Sequence, residues 1–202
     1  MPIRVNNTKA QGLQSLGFGV NMELMGTTSH PWNDWYHING NTYGTWLPGD
    51  PRGWRTRHHR IHVEGDYKNP PPRGTSDGLH AYSKKLMKAK PVYLSPEARA
   101  IACCAMVEAF TYHAIELVAV AVDDHHYHIL ARFRDHFPRK WVGIAKKESA
   151  RAISTANLGP SGGIWAVRCK VTPINDRDHQ VTVARYIAKH AQRGAALWAA
   201  WK

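Results

Sequence analysis

Cysteine is scarce in this sequence. The 202 residues include three, Cys103, Cys104 and Cys169, an odd number with no CxxC pairing. This pattern does not fit a disulfide framework, and it fits a reducing cytoplasm in which cysteines pack as small hydrophobic side chains.

Long apolar runs are also missing. No stretch approaches the roughly 18 apolar residues of a membrane span, and the first residues lack the apolar block of a signal peptide. Apolar residues still make up 43% of the chain, enough for a globular core. We therefore expect one cytoplasmic domain with no membrane partner.

Acidic residues are few. Fifteen Asp and Glu stand against 27 Lys and Arg, which gives a formal net charge of +12. Such an excess favours a polyanionic partner, most often nucleic acid, although a generic basic protein has the same composition. Eight Trp and eight Tyr provide rings for stacking on unpaired bases, and many of them must also fill the core.

Segments without apolar periodicity predict how the chain is organised. Residues 1–32 lack periodicity and are expected to form a mobile arm before a single domain over 33–202. Within it, 48–90 has no apolar period and is expected to be a long basic loop, in which Arg55 and Arg57 are candidates for phosphate contact. A solvated insertion explains that loop equally well.

The remaining elements alternate in type. Strands are expected over 35–47, along the apolar run 115–122, from His126 through the apolar run 129–133, and over 164–171. Helices are expected over 95–112, over 139–155 and from 176–178 onwards. This order favours an α+β sandwich, with helices packed on an antiparallel sheet of about four to five strands.

Two histidines follow a tight turn at Asp123-Asp124. On a strand, His126 and His128 face the same way, roughly 7 Å apart, whereas His125 and Tyr127 face the opposite way. One metal ion could bind both imidazoles. The pattern is weak by itself, because a chain with 13 histidines also places such pairs on solvated strand faces.

A late helix supplies the other half of the pattern. Tyr186 and His190 are four residues apart and share one helical face, as in many amphipathic helices. A His-hydrophobe-His strand combined with this Tyr-x-x-x-His helix resembles the single-tyrosine HUH transposases, especially the REP-associated tyrosine transposases and their insertion-sequence relatives. The segment 42–50, TYGTWLPGD, is similar to the opening strand of one subgroup.

The resemblance implies a ferredoxin-like fold and a specific chemistry. His126, His128 and His190 would hold a divalent ion, Mg²⁺ or Mn²⁺, and Tyr186 would cleave and rejoin single-stranded or hairpin DNA through a 5′-phosphotyrosine. It further implies a monomer or homodimer in a bacterial cytoplasm, associated with the nucleoid.

Basic residues near these motifs are candidates for DNA binding. Two follow the histidine strand with matching parity, three form a stripe on the helix over 139–155, and two flank the tyrosine. In that order they are Arg132 and Arg134; Lys140, Lys147 and Arg151; Arg185 and Lys189.

Two other functions remain open. A non-catalytic protein that binds single-stranded nucleic acid would have the same charge and fold. A zinc hydrolase could use the three histidines as ligands, with Asp123 or Asp124 as the general base, and would have no role for the tyrosine.

Overall fold

The computed structural model describes residues 32–54, 72, 74–161 and 163–201. The arm expected over 1–32, apart from residue 32, and the candidates Arg55 and Arg57 lie outside these residues.

A five-stranded antiparallel sheet forms the centre of the fold. In chain order its strands are β1 (Trp35–Thr42), β2 (Glu116–Val122), β3 (His126–Arg132), β4 (Trp165–Pro173) and β5 (Ala196–Ala199). They lie side by side in the order β4-β1-β3-β2-β5, and every neighbouring pair is antiparallel. The first four strands thus have the ferredoxin-like order, and the predicted α+β fold is confirmed.

Helices cover both faces of the sheet. In chain order the helices are α1 (Asp77–Lys85), α2 (Pro96–Tyr112), α3 (Pro138–Thr155) and α4 (Arg177–Lys189), with a 3-10 turn at His190–Arg193. α2 and α3 pack on one face and α4 on the other, whereas α1 buries no residue. Side chains alternate along β3, so Ile129 packs into the core shared with α2 and α3, while Leu130 packs beneath α4. The histidine side chains of β3 follow the parity of Leu130 and therefore lie on the α4 face.

Local sequence explains where α2 begins. Ser95 has an extended backbone, and its hydroxyl accepts a hydrogen bond from the Ala98 N–H at 3.2 Å. Pro96 occupies the first turn, where its missing N–H would be unsatisfied anyway. The helix therefore begins where the sequence predicts.

Three elements differ from the sequence prediction. The first strand ends at Thr42 and not at residue 47. The segment 48–90 is not all loop, because it contains α1, a short helix whose apolar side chains stay exposed and give too brief a pattern to reveal it. The last residues add β5 to the free edge of β2.

Gly49 lets the chain approach α1 closely, since it has φ +84° and a Cβ there would lie 2.4 Å from the His80 backbone nitrogen.

No helix of the described part of the chain is long and apolar enough to cross a membrane.

Gly40 makes room for the largest buried side chain of β3. Tyr127 is 0% exposed and packs edge-on against Trp165, with ring centroids 5.2 Å apart. Gly40 lies opposite Tyr127 in the sheet, and a Cβ at residue 40 would approach the Tyr127 hydroxyl oxygen to 2.5 Å. The ring has no open side into which it could move.

Gly40→Ala is expected to lower the free energy of unfolding by about 1–3 kcal/mol, the usual cost of overpacking a rigid core. Gly143→Ala is the matched control, because a Cβ there meets nothing within 4 Å and helical Ala is favoured over Gly by about 0.8–1 kcal/mol. Urea unfolding of both variants measures the difference. Equal effects would contradict the proposed packing.

Candidate metal centre and adjoining tyrosine

Two of the clustered histidines follow a tight hairpin. The Asp123 N–H donates to the His126 carbonyl oxygen at 2.8 Å, which closes a turn with Asp124 and His125 at its tip. The turn therefore lies one residue later than the sequence suggests. Because β3 begins immediately afterwards, His126 and His128 lie on one face of the strand, as predicted from strand alternation, and α4 packs on that face.

The end of α4 brings in a third imidazole. Val183 and Ile187 anchor the helix on the sheet, and His190 follows at the start of the 3-10 turn. Its ring centroid lies 5.0 Å from that of His126 and 4.6 Å from that of His128. One potential ligand atom from each of the three histidines lies within 4.8 Å of the others, so the cluster is the right size for a single ion.

Outer partners orient two of these rings. His37 on β1 places Nε2 3.0 Å from Nδ1 of His128, and the Asp123 carboxylate lies 3.4 Å from Nδ1 of His190. If each Nδ1–H donates to its partner, the Nε2 atoms of His128 and His190 are left as ligands, the usual arrangement around protein-bound metals. Nδ1 of His126 is buried without a hydrogen-bond partner among the described residues. The donor set therefore fits a divalent ion.

Burial also favours the neutral imidazoles that metals require. It lowers the pKa of His126 to about 4 and that of His128 to about 2, with further lowering from neighbouring histidines. Burial alone would raise the pKa of Asp123, but hydrogen bonds from the Asp124 N–H and His190 lower it below its usual range. At neutral pH, protons therefore compete little for His126 and His128, while Asp123 remains an anionic acceptor.

Tyr186 lies at the rim of the cluster. Its ring contacts His190 and His128 edge-on, with centroids 5.1 and 5.2 Å away, and His37 at 6.1 Å. The residue is 47% exposed, unlike His128 and His190, which are each 4% exposed. A phosphodiester could therefore reach the phenol from solvent while also contacting an ion held by the histidines.

His125 differs from its expected position. It does not face the opposite side of the sheet, since it lies at the hairpin tip, where it contacts the carboxylate of Asp124. Its ring centroid is 4.6 Å from that of His126. Asp124, His125 and His126 form a second group with metal-ligating atoms close together, more exposed than the three-histidine cluster.

The arginines at the end of β3 lie away from the cluster. Arg132 is four residues from His128, about 13 Å along an extended strand, and it forms ion pairs with Asp34 and Glu116 at 3.4 and 3.6 Å. Arg134 also binds Glu116. Their charges are partly neutralised within the protein.

The other basic candidates separate into two groups. The stripe on α3 is exposed, but α3 packs on the sheet face opposite the histidines. The pair on α4 is exposed and flanks Tyr186. The stripe consists of Lys140, Lys147 and Arg151, and the pair of Arg185 and Lys189.

Sequence reasoning missed His37. Its alternation with the buried Ile38 places it on the α4 face, but its importance depends on β1 lying next to β3. That pairing joins segments 91 residues apart, and no local pattern indicates it.

His37→Ala is expected to weaken metal binding by about 10- to 100-fold, because His128 loses the group that fixes its orientation. His37→Gln should restore part of the affinity, since its amide oxygen can accept the same hydrogen bond. Calorimetric titration with Mn²⁺ measures both variants. Unchanged affinity in His37→Ala would show that this contact does not orient a ligand.

Comparisons with known proteins add little to this geometry. No protein-family model matches the chain, and no curated protein matches it. A solved structure described as "the REP associates tyrosine transposase bound to a REP hairpin" is similar over 80% of this chain and 68% of its own, with 13% identity and a TM-score of 0.41. A likeness at this level carries no argument about function.

Proposed function

We propose that this protein is a metal-dependent enzyme that cleaves and rejoins single-stranded DNA through a covalent bond to Tyr186. The observation that carries this proposal is the half-exposed phenol beside a cluster of three inward-facing imidazoles. The resemblance of the same four residues to the HUH transposase motifs agrees with it. The net charge of +12 suits the polyanionic substrate.

In the proposed reaction, the phenolic oxygen of Tyr186 attacks the phosphorus of a phosphodiester. The bond between phosphorus and the 3′-oxygen breaks, so the protein is linked to the 5′-phosphate and the released 3′-oxygen takes up a proton. The phenolic proton leaves to solvent, which reaches the half-exposed ring. Attack by a 3′-hydroxyl on this linkage reverses the step and rejoins DNA without another energy source.

Three histidines would bind the metal ion that this step requires. His126, His128 and His190 would hold a divalent ion, which when bound polarises the phosphoryl oxygen and orients the phosphate. Three imidazoles favour Mn²⁺ over Mg²⁺, because Mg²⁺ prefers oxygen ligands. His37 and Asp123 keep two of the rings in position, and Arg185 and Lys189 lie where they could contact the DNA backbone on either side of Tyr186.

The site argues against a zinc hydrolase. Asp123, one of the two possible bases, lies 3.4 Å from Nδ1 of His190 and is 8% exposed, so it serves better as an orienting acceptor than as a base for water. Asp124, the other, contacts His125 at the hairpin tip and belongs to the outer group of ligating atoms, not to the three-histidine cluster. A protein that only binds nucleic acid has no use for buried imidazoles converging beside a tyrosine.

The decisive experiment is recovery of a covalent adduct. The intact protein is incubated with Mn²⁺ and a labelled DNA hairpin carrying a single-stranded extension, then denatured and separated by gel electrophoresis. We expect label that migrates with the protein and disappears after protease treatment. Absence of this adduct across a range of hairpin sequences and metals would leave the two alternatives that form no covalent bond, the binding protein and the zinc hydrolase.

A further inference from the structure

A cavity of about 660 Å³ lies beside the hairpin turn, bounded by the chain after β1, by α1 and by the segment that leads into α2. Its described lining is strongly basic, because it includes Arg52, Lys84, Lys88 and Lys90 and a single carboxylate, that of Asp50. The volume is in the range that binds small ligands or one part of a larger one.

The acidic residue does not neutralise the lysines. Asp50 is 4% exposed and bound to Arg52, whose Nε and Nη2 lie 2.8 and 2.6 Å from its carboxylate oxygens. No ion pair joins Lys84, Lys88 or Lys90 to an acid in the described part of the chain. Three exposed ammonium groups therefore share one concave surface, where they repel one another until an anion binds.

A second, more apolar cavity of about 540 Å³ shares one wall with the first. The shared wall is the segment 88–93, of which Val92 faces the second cavity alone. The rest of the second cavity includes Tyr43, Leu158 and Pro160. Tyr93 belongs to both cavities and is 65% exposed. An aromatic ring between a basic and an apolar surface suits a nucleotide, which carries an anionic phosphate and a flat base.

The location of these cavities connects them to the candidate metal centre. The Leu94 N–H donates to the Asp124 carbonyl oxygen at 2.7 Å, which fixes the segment against the hairpin turn. The Tyr93 ring centroid lies 6.4 Å from that of His125, which in turn lies 4.6 Å from that of His126. The Tyr93 side of the cavities is therefore separated from the histidine cluster by one side chain, His125.

We propose that this paired cavity binds the single-stranded DNA segment next to the scissile phosphate, with Lys84, Lys88 and Lys90 on its phosphodiesters and Tyr93 stacked on a base. This inference rests on the proposed function and gives its substrate a path. Stacking on a ring tolerates any base, so the site holds the strand with little dependence on sequence.

The test measures binding without chemistry. Fluorescence anisotropy follows a labelled deoxythymidine oligomer of about ten nucleotides with the intact protein in excess chelator. Tyr93→Ala should weaken binding roughly tenfold or more, whereas Tyr93→Phe should bind like the original protein because the ring is kept. Circular dichroism confirms that each variant is folded.

The lysines are tested by salt dependence. Lys88→Gln should weaken binding and reduce the slope of log affinity against log salt by about 0.7, the contribution of one contact to a single strand. Lys85→Gln is the matched control: it is exposed on the same helix as Lys84 but does not line the cavity. We expect it to leave both affinity and slope nearly unchanged.

The outcomes separate this inference from the proposed function. Original affinity in Tyr93→Ala, or equal losses in Lys85→Gln and Lys88→Gln, would overturn the cavity as a DNA site even if the covalent adduct forms. If the adduct is never found but the Tyr93 and Lys88 variants lose affinity as expected, the cavity still binds single strands and the proposed chemistry is wrong.

Discussion

Replacing Tyr186 with phenylalanine is expected to abolish the covalent adduct and DNA cleavage, while single-strand binding stays within about a few-fold of the original. The change removes the attacking oxygen, and no nearby group can form the same phosphotyrosine. The ring contacts with His128 and His190 remain available to phenylalanine, so the histidine cluster should keep its geometry.

Tyr112→Phe is the matched control for this result. Tyr112 is 85% exposed at the end of α2, on the face of the sheet away from the histidines. It loses the same hydroxyl and should retain full cleavage. Undiminished adduct from Tyr186→Phe, seen by denaturing electrophoresis of labelled hairpin DNA, would exclude Tyr186 as the nucleophile.

Removing any of the three clustered imidazoles is the second large expected effect. His126→Ala, His128→Ala and His190→Ala should each reduce metal affinity by more than the roughly 10- to 100-fold loss typical of an outer partner. Cleavage should fall by orders of magnitude, because the phosphoryl oxygen loses its Lewis acid. DNA binding in chelator should change far less, since Lys and Arg provide most of that affinity.

Removal and replacement of the metal ion, together with substitutions of two further histidines, complete this test. Chelation should stop cleavage, and Mn²⁺ should restore it at least as well as Mg²⁺. His113→Ala serves as a control, because His113 packs against Trp141 on the other side of the sheet. His125→Ala should have a smaller effect than His126→Ala; the reverse order would place the ion in the outer group with Asp124. Cleavage that persists in excess chelator would exclude a metal role.

Local patterns in the sequence determine much of this protein. Alternation after the hairpin turn is enough to place His126 and His128 on one strand face, because successive strand residues point in opposite directions. Ser95 and Pro96 mark the start of α2 by capping chemistry that depends on neighbouring residues alone. The order of helices and strands likewise predicts the α+β fold.

Local sequence patterns do not predict other features of the structure. Helix α1 is nine residues long and buries no side chain, so its apolar pattern is too brief to stand out, and β5 is four residues long and is defined by pairing with β2. The hairpin tip illustrates a finer limit: a shift of one residue in the turn takes His125 off the opposite strand face and puts it beside His126.

The candidate site depends on both levels. Its four principal residues are readable as two local motifs, one on a strand and one on a helix. Tertiary structure alone decides that α4 crosses the sheet where His190 meets His128, that β1 brings His37 to His128, and that Asp123 meets His190. These contacts join residues 62, 91 and 67 positions apart, and they form because burying the apolar faces of α4 and the sheet sets their relative position.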